Sequence, residues 1–142
     1  MATDCPGLAD LIARLDRSVD AGDVGAVTAA VKNDLEHVLG SRALVLPAHL
    51  MQACPDVYAR RLLHRDPAGR YSAIVMTWGP GQGTAVHDHG GLWCVEGVVD
   101  GEIAVTKASS TFAPLSAFFR LSRSTRSSSC PTYLIGPEHT CA

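Results

Sequence analysis

Hydrophobic residues recur at helical spacing through the first part of the chain, in two runs separated by Ala21-Gly22-Asp23. The apolar positions are Leu8, Leu11, Ile12, Leu15 and Val19 in the first run, and Val24, Val27, Val31, Leu35 and Val38 in the second. Steps of three and four residues place such side chains on one face of a helix. The pattern predicts two short amphipathic helices, the second with Asp23 as its N-cap and Gly40 as its C-terminal stop.

From Val57 the hydrophobic period shortens to that of β-strands. Turn sequences rich in glycine, proline and aspartate interrupt it at residues 66–69, 79–81 and 100–101. The predicted strands are Val57–Leu63, Tyr71–Trp78, Val86–His89, Leu92–Val99 and Glu102–Thr106. Short strands with tight turns predict a mainly β protein, a sandwich or a small barrel, preceded by the two helices.

The last part of the chain has a different composition. It contains no acidic residue between Glu102 and Glu138, but many serines and the arginines Arg120, Arg123 and Arg126. Strand alternation stops at Thr106, and this composition is typical of a disordered or misread segment. The chain therefore divides into an N-terminal helical segment (1–41), a strand segment (42–106) and an atypical Ser/Arg-rich tail (107–142). A reading-frame change near Lys107 is one explanation of the tail.

Composition narrows the class of protein. With 142 residues, 46% of them hydrophobic, the chain fits one soluble domain. The net charge of −2 gives no electrostatic reason to expect nucleic acid or an anionic membrane as a partner. No run approaches the ~18 apolar residues of a membrane span, so a cytoplasmic location is expected. The five cysteines show no C-x-x-C spacing, which argues against a disulfide framework or a thiolate zinc site.

Two histidines follow a glycine-rich turn, in the order Gly81-Gln82-Gly83 and then His87-Asp88-His89. Residues i and i+2 of a strand share one face, so His87 and His89 can point at one metal ion while Asp88 points away. Imidazole suits iron, zinc, copper and nickel, and two histidines leave room for a further protein ligand and for open positions. The alternative is an unremarkable histidine pair on a solvated strand.

The spacing Gly81-x5-His87-x-His89-x4-Cys94-x6-Gly101 resembles the first signature of the cupin superfamily, with Cys94 where most cupins have a glutamate ligand. Together with Tyr58-Ala59-Arg60-Arg61-Leu62 and Met76-Thr77-Trp78-Gly79, it is similar to the cysteine dioxygenase family of thiol dioxygenases over residues 42–106. The resemblance implies a cupin-type β-barrel, with residues 42–106 as its first half. That barrel is expected to be incomplete, because its closing strands would fall in the atypical tail.

The same resemblance implies an Fe(II)-dependent enzyme that adds both atoms of O2 to a small thiol, L-cysteine or 3-mercaptopropionate, to give the sulfinic acid. The family holds its iron with three histidines, which makes His87, His89 and His139 the candidate ligands. His139 is included because the stretch before it, Tyr133-Leu134-Ile135-Gly136-Pro137, resembles the family's strand that carries the third histidine. Arg60 matches the family's carboxylate-binding arginine, and Tyr58 is the second candidate catalytic residue. Because Arg60 and Arg61 are adjacent in a strand, only one of them can face the barrel.

Two other interpretations stay open. The first is a truncated or frame-shifted cupin remnant that binds metal weakly and has no turnover, and the second is a cupin module that senses a small acid without chemistry. His87, His89 and Arg60 favour the enzyme, whereas the tail favours lost function. Cys94 is either a buried packing residue or, as in animal members of the family, cross-linked to a tyrosine, for which the sequence identifies no partner.

Overall fold

The computed structural model describes residues 5–85, 87, 89, 92–104, 116–119 and 130–136. Its elements are helices α1 (Leu8–Ser18) and α2 (Val24–Ser41), a 3-10 turn (Ala48–Leu50), and strands β1 (Ala59–Arg65), β2 (Ser72–Trp78), β3 (Cys94–Val98), β4 (Ser116–Phe119) and β5 (Cys130–Gly136). The two predicted N-terminal helices are confirmed. No helix in these described ranges is long and apolar enough to cross a membrane.

Helix α2 begins where the sequence predicts and ends two residues later than predicted. The Asp23 carboxylate accepts a hydrogen bond from the backbone N–H of Ala26 at 2.9 Å, which confirms Asp23 as the N-cap. The prediction of Gly40 as the stop is wrong, because the helix continues to Ser41 and Arg42 takes the left-handed conformation with φ 57°. Buried Leu39 holds the last turn of the helix against the core.

The strands form one sheet in the order β1-β2-β5-β3-β4. Antiparallel pairing joins β1 to β2, β2 to β5 and β5 to β3, whereas β3 and β4 are parallel. Within the described residues this sheet is open, with β1 and β4 at its edges, so a closed cupin-type barrel is not confirmed. The β5 strand lies between β2 and β3 and connects the first hairpin to the rest of the sheet.

Strands β1, β2 and β3 confirm three of the predicted strands, with ends that differ by at most two residues. The predicted strand Val86–His89 is wrong at the two of its residues that are described, since His87 and His89 lie outside any strand. Residues 102–104 also lie outside a strand, and residues 105 and 106 are not described. The expectation that strand structure stops at Thr106 is wrong for β4 and β5. The apolar run Tyr133-Leu134-Ile135 suits a strand with neighbours on both sides.

The two helices pack against one face of the sheet and form the core with it. Leu11, Leu15, Val31 and Leu35 are fully buried, as are the sheet residues Ala73, Val75 and Val95 that join the same cluster. Full burial of such a side chain contributes about 1.5–3 kcal/mol. A Cβ atom on Gly97 would lie 2.9 Å from Cδ1 of Leu39, so a glycine here lets α2 approach β3 closely.

Ion pairs fasten α1 to the turn between β1 and β2. The Arg70 guanidinium donates to Asp66 at 2.8 Å within the turn, and to Asp16 at 2.9 Å and Asp20 at 3.0 Å near the end of α1. The Tyr71 hydroxyl also donates to Asp16, at 3.0 Å. These contacts set the position of the helical layer over the sheet and leave the opposite sheet face uncovered by α1 and α2.

Candidate metal centre

Strand β3 places its side chains alternately on the two faces of the sheet. Val95 belongs to the core shared with the helices, and Gly97 lies against α2. Because side chains alternate along a strand, Cys94, Glu96 and Val98 lie on the opposite face. We call this face, which points away from α1 and α2, the site face.

Strand register extends the site face across the sheet to β1. Arg60 pairs with Met76, Met76 with Thr132, and Thr132 with Val98. Directly opposed residues in antiparallel strands lie on the same face of the sheet. Arg60 therefore lies on the site face, together with Val98, Cys94 and Glu96.

Three potential metal ligands converge at one end of β3. The ligand atoms of His89, Cys94 and Glu96 all lie within 4.8 Å of one another. Cys94 is buried, with 2% of its surface exposed, while His89 and Glu96 are half-buried. The N–H of Leu92 donates to the His89 carbonyl at 3.0 Å, which holds His89 close to the residues that precede the strand.

His87 lies beside this group. The ring centroids of His87 and His89 are 5.3 Å apart, and the rings are nearly perpendicular. The Nδ1 atom of His87 is 2.8 Å from the carbonyl oxygen of Ala85, so Nδ1 is the protonated nitrogen and Nε2 is the one able to bind a metal. The two rings are thus neighbours although neither histidine belongs to a strand; their role as ligands stays a prediction.

Glu96 is the acidic member of the cluster. Burial raises the pKa of its carboxyl, and the nearby His87 acts in the opposite direction. Burial disfavours the charged form of a carboxyl group, whereas a neighbouring positive charge favours it. Glu96 therefore lies where burial and His87 act on its charge in opposite directions.

The two adjacent arginines of β1 have different surroundings. Arg60 is exposed on the site face. Arg61 is half-buried on the other face, where its guanidinium donates to the Leu50 carbonyl at 3.3 Å and contacts Sγ of Cys54 at 3.9 Å. The two arginines therefore lie on opposite faces of the sheet, and Arg60 is the one on the site face. Its role in binding a carboxylate stays a prediction.

Tyr58 precedes β1 and shares the parity of Arg60. Its ring stacks on Trp78 at the end of β2, with centroids 5.4 Å apart and an interplanar angle of 21°. Trp78 is buried, as expected of a core aromatic residue. The stack fixes Tyr58 at the edge of the site face, next to the turn that leads towards the histidines.

That turn is held by Gln82. The side-chain oxygen of Gln82 accepts from the N–H of Gly79 at 2.8 Å, and its amide donates to the Cys54 carbonyl at 2.7 Å. Gly81 has φ 76°, a conformation that glycine takes without strain. The glycine-rich turn is confirmed, and its hydrogen bonds fix the start of the segment that carries His87 and His89.

Sequence reasoning missed Glu96 and could not place His139. Glu96 follows Cys94 by two residues in a predicted strand, which is the same spacing that singled out His87 and His89, so its signal was present in the pattern. His139 lies outside the described residues, and its role as the third histidine ligand stays a prediction.

The structure is a sheet with a helical layer on one face and, on the other face, a possible metal site of nitrogen, sulfur and oxygen donors, a set that suits divalent transition metals. The family model of cysteine dioxygenase type I matches residues 8–139. The chain belongs to the cysteine dioxygenase type I family. The match includes most of the tail, as well as the helices and the candidate metal centre.

Proposed function

We propose that the protein is an Fe(II)-dependent thiol dioxygenase that converts L-cysteine or 3-mercaptopropionate, with O2, to the corresponding sulfinic acid. The observation that carries this proposal is the family match over a chain whose His89 lies in a cluster of potential metal ligands. Dioxygenation adds both oxygen atoms to the substrate sulfur, so no further reductant is needed.

The proposed iron ligands are His87, His89 and His139. The contact between Nδ1 of His87 and the Ala85 carbonyl supports this assignment, because it fixes the ring orientation and leaves Nε2 for the metal. When bound, Fe(II) supplies the one-electron redox chemistry that ordinary side chains lack. Neutral imidazole ligands suit a thiol substrate, since its thiolate brings the negative charge that a carboxylate ligand would otherwise supply.

Arg60 and Tyr58 are the proposed substrate-binding residues. Both candidate substrates carry a carboxylate, which the planar, permanently charged guanidinium of arginine pairs with well. The position of Arg60 on the site face supports this role. Tyr58, held against Trp78, would flank the substrate and present its hydroxyl from a fixed ring.

The alternative of a frame-shifted remnant is not favoured over the enzyme. The family match continues through the Ser/Arg-rich segment to residue 139. Two parts of that segment form strands that pair with the rest of the sheet. Both observations support a tail that belongs to the fold.

Oxygen consumption and product analysis test the proposal. The full chain, loaded with Fe(II) without oxygen, is expected to consume O2 only when L-cysteine or 3-mercaptopropionate is added, and to form the sulfinate in equal amount. H89A and H139A should lower both the iron content and the rate. H49A is the matched control, because His49 is exposed in the 3-10 turn and should leave both unchanged. An iron-loaded chain that forms no sulfinate from either thiol would contradict the proposal.

A further inference from the structure

We propose that His89, Cys94 and Glu96 form a second metal site, for Zn²⁺ and similar thiol-binding divalent ions, which shares His89 with the iron centre. Binding of Zn²⁺ at this site needs only the side chains of His89, Cys94 and Glu96 as protein ligands. The further consequence, that Zn²⁺ inhibits the enzyme, rests on the proposed function.

The geometry of β3 favours this set of ligands. Cys94 and Glu96 are two residues apart on one face of the strand, and the hydrogen bond from the N–H of Leu92 to the His89 carbonyl keeps His89 close to the start of β3. Metal–ligand distances of about 2.0–2.3 Å in a tetrahedral site require ligand atoms about 3.5 Å apart. The atoms here lie within 4.8 Å of one another, so an approach of about 1.3 Å at most, by side-chain rotation, completes the arrangement.

The chemistry of the three donors favours zinc over iron. On binding, a bond forms between the metal and the Cys94 sulfur, and the thiol proton passes to solvent. The thiolate and the carboxylate together balance the charge of a divalent cation. Thiolate ligands select zinc and other soft or borderline ions. A site with nitrogen, oxygen and sulfur donors generally binds Zn²⁺ more tightly than Fe²⁺. Three protein ligands leave a fourth position for water.

Sharing of His89 makes the two metals mutually exclusive. One imidazole nitrogen binds one metal ion at a time, so Zn²⁺ held by His89, Cys94 and Glu96 removes a ligand from the iron centre. In the zinc form, the Cys94 sulfur would also occupy a coordination position on the metal, and a substrate thiol requires a position of that kind. Zn²⁺ has no redox chemistry, so the zinc-bound chain cannot act as a dioxygenase.

The cysteine pattern alone gave no sign of such a site. The absence of C-x-x-C spacing argued against a thiolate zinc site, and that argument holds for sites with several cysteines. The proposed site uses one thiolate, with its other donors supplied by a histidine and a glutamate. Sites with mixed ligands have no fixed cysteine spacing, so only the fold reveals them.

Metal spectroscopy tests the site without any assay of activity. Co²⁺ replaces Zn²⁺ as a coloured probe, and a thiolate ligand gives it a sulfur-to-cobalt charge-transfer band. We expect the full chain to bind one Co²⁺ with this band, and Zn²⁺ to displace it. In the zinc form, X-ray absorption should detect one sulfur neighbour at about 2.3 Å.

Variants separate the new site from the histidine pair. C94S should abolish the charge-transfer band. Loss of a residue that only supports a metal ligand lowers metal affinity about 10- to 100-fold, and E96Q should weaken Zn²⁺ binding by more than this. H87A should keep the band. C54S is the matched cysteine control, since Cys54 is half-buried and lies beside Arg61, and it should also keep the band.

The outcomes distinguish this inference from the proposed function. A wild-type zinc form without a sulfur neighbour, or a band that survives in C94S, would overturn the second site even if the iron form is active. A sulfur neighbour together with no oxygen uptake by the iron form would support the site and contradict the dioxygenase. If C94S does not fold, the wild-type X-ray absorption and the E96Q titration still decide the matter.

Discussion

Arg60 and Arg61 are adjacent in β1, but their side chains lie on opposite faces of the sheet and have different surroundings. Arg60 is exposed on the site face, whereas Arg61 is held against the 3-10 turn by its hydrogen bond to the Leu50 carbonyl. The Thr77 hydroxyl donates to the same carbonyl at 3.1 Å. Arg61 therefore contributes to stability, whereas Arg60 lies on the face where we propose that the substrate binds.

Substitution of each arginine should separate these roles. R60A is expected to raise KM for L-cysteine and 3-mercaptopropionate about 10- to 100-fold, since hydrogen bonds to charged groups contribute about 1.5–3 kcal/mol. R61A should leave KM unchanged and lower the free energy of unfolding by about 0.5–1.5 kcal/mol. Steady-state kinetics and urea unfolding measure the two effects. An unchanged KM in R60A would remove Arg60 from the substrate site.

The candidate metal centre was predictable from sequence only where a local rule applied. The spacing of His87 and His89 indicated neighbouring rings, and the structure places their centroids 5.3 Å apart without the predicted strand. Strand parity limited the choice between Arg60 and Arg61 to one residue. The proximity of His89 to Cys94 and Glu96 depends on the position of His89 relative to β3, which no periodicity in the sequence encodes.

At the scale of elements, the end of α2 shows a balance between backbone preference and packing. Gly40 lies within the helix and Arg42 is left-handed, although glycine prefers that conformation and arginine does not. Burial of Val38 and Leu39 in the last turn outweighs these preferences, each of which amounts to about 1 kcal/mol. The chain could therefore be stabilised by changes at both residues.

The G40A and R42G substitutions test this end of the helix. Nothing lies within 4 Å of a Cβ atom on Gly40, so G40A should raise the free energy of unfolding by about 0.5–1 kcal/mol through helix propensity. R42G should raise it by up to about 1 kcal/mol, because it relieves the left-handed conformation. Urea unfolding gives both values. If the helix instead ended with a left-handed Gly40, G40A would destabilise the chain.

The contact between the β1–β2 turn and α1 should depend on pH. The Arg70 guanidinium lowers the pKa of the Asp66 carboxyl well below its usual range. A lowered pKa in the folded state means that the stabilisation is fully present above the unfolded value of about 3.9 and is lost as pH falls further. D66N should therefore lower Tm at pH 7, and its difference from wild type should shrink below about pH 4.

Thermal unfolding monitored by circular dichroism between pH 2 and pH 7 measures this effect. D56N is the matched control, since Asp56 is exposed and should leave the pH profile as it is in wild type. A constant difference in Tm between D66N and wild type across that range would show that the Asp66 charge does not contribute.

The elements that local pattern governs were predictable, and those that depend on distant partners were not. Helices α1 and α2 follow from apolar spacing alone, and β1, β2 and β3 from alternation between turns. The short β4 strand owes its state to pairing with β3, and its sequence Ser116-Ala117-Phe118-Phe119 carries no alternation. The Ser/Arg-rich composition of the tail indicated disorder, because composition is an average over the whole tail and does not reveal short strands within it.

For the whole molecule, the central feature is the position of β5, which joins the β1–β2 hairpin to β3 and β4. The strand comes last among those described, yet it lies in the middle of the sheet, paired with β2 on one side and β3 on the other. Removing it would expose the unpaired N–H and C=O groups of both neighbours. It would also separate the β1–β2 hairpin from the strand that carries Cys94 and Glu96.

Truncation should therefore show that residues 42–106 do not make an independent folding unit. A chain that ends after residue 106 lacks β4 and β5, and we expect it to lose cooperative thermal unfolding and near-ultraviolet circular dichroism. A chain that ends after residue 136 is the matched control; it keeps every strand given above and should unfold cooperatively. Cooperative unfolding of the shorter chain would contradict the central position of β5. Loss of cooperative unfolding would support a dependence of the metal centre on the tail, because among the described strands β3 pairs only with β4 and β5.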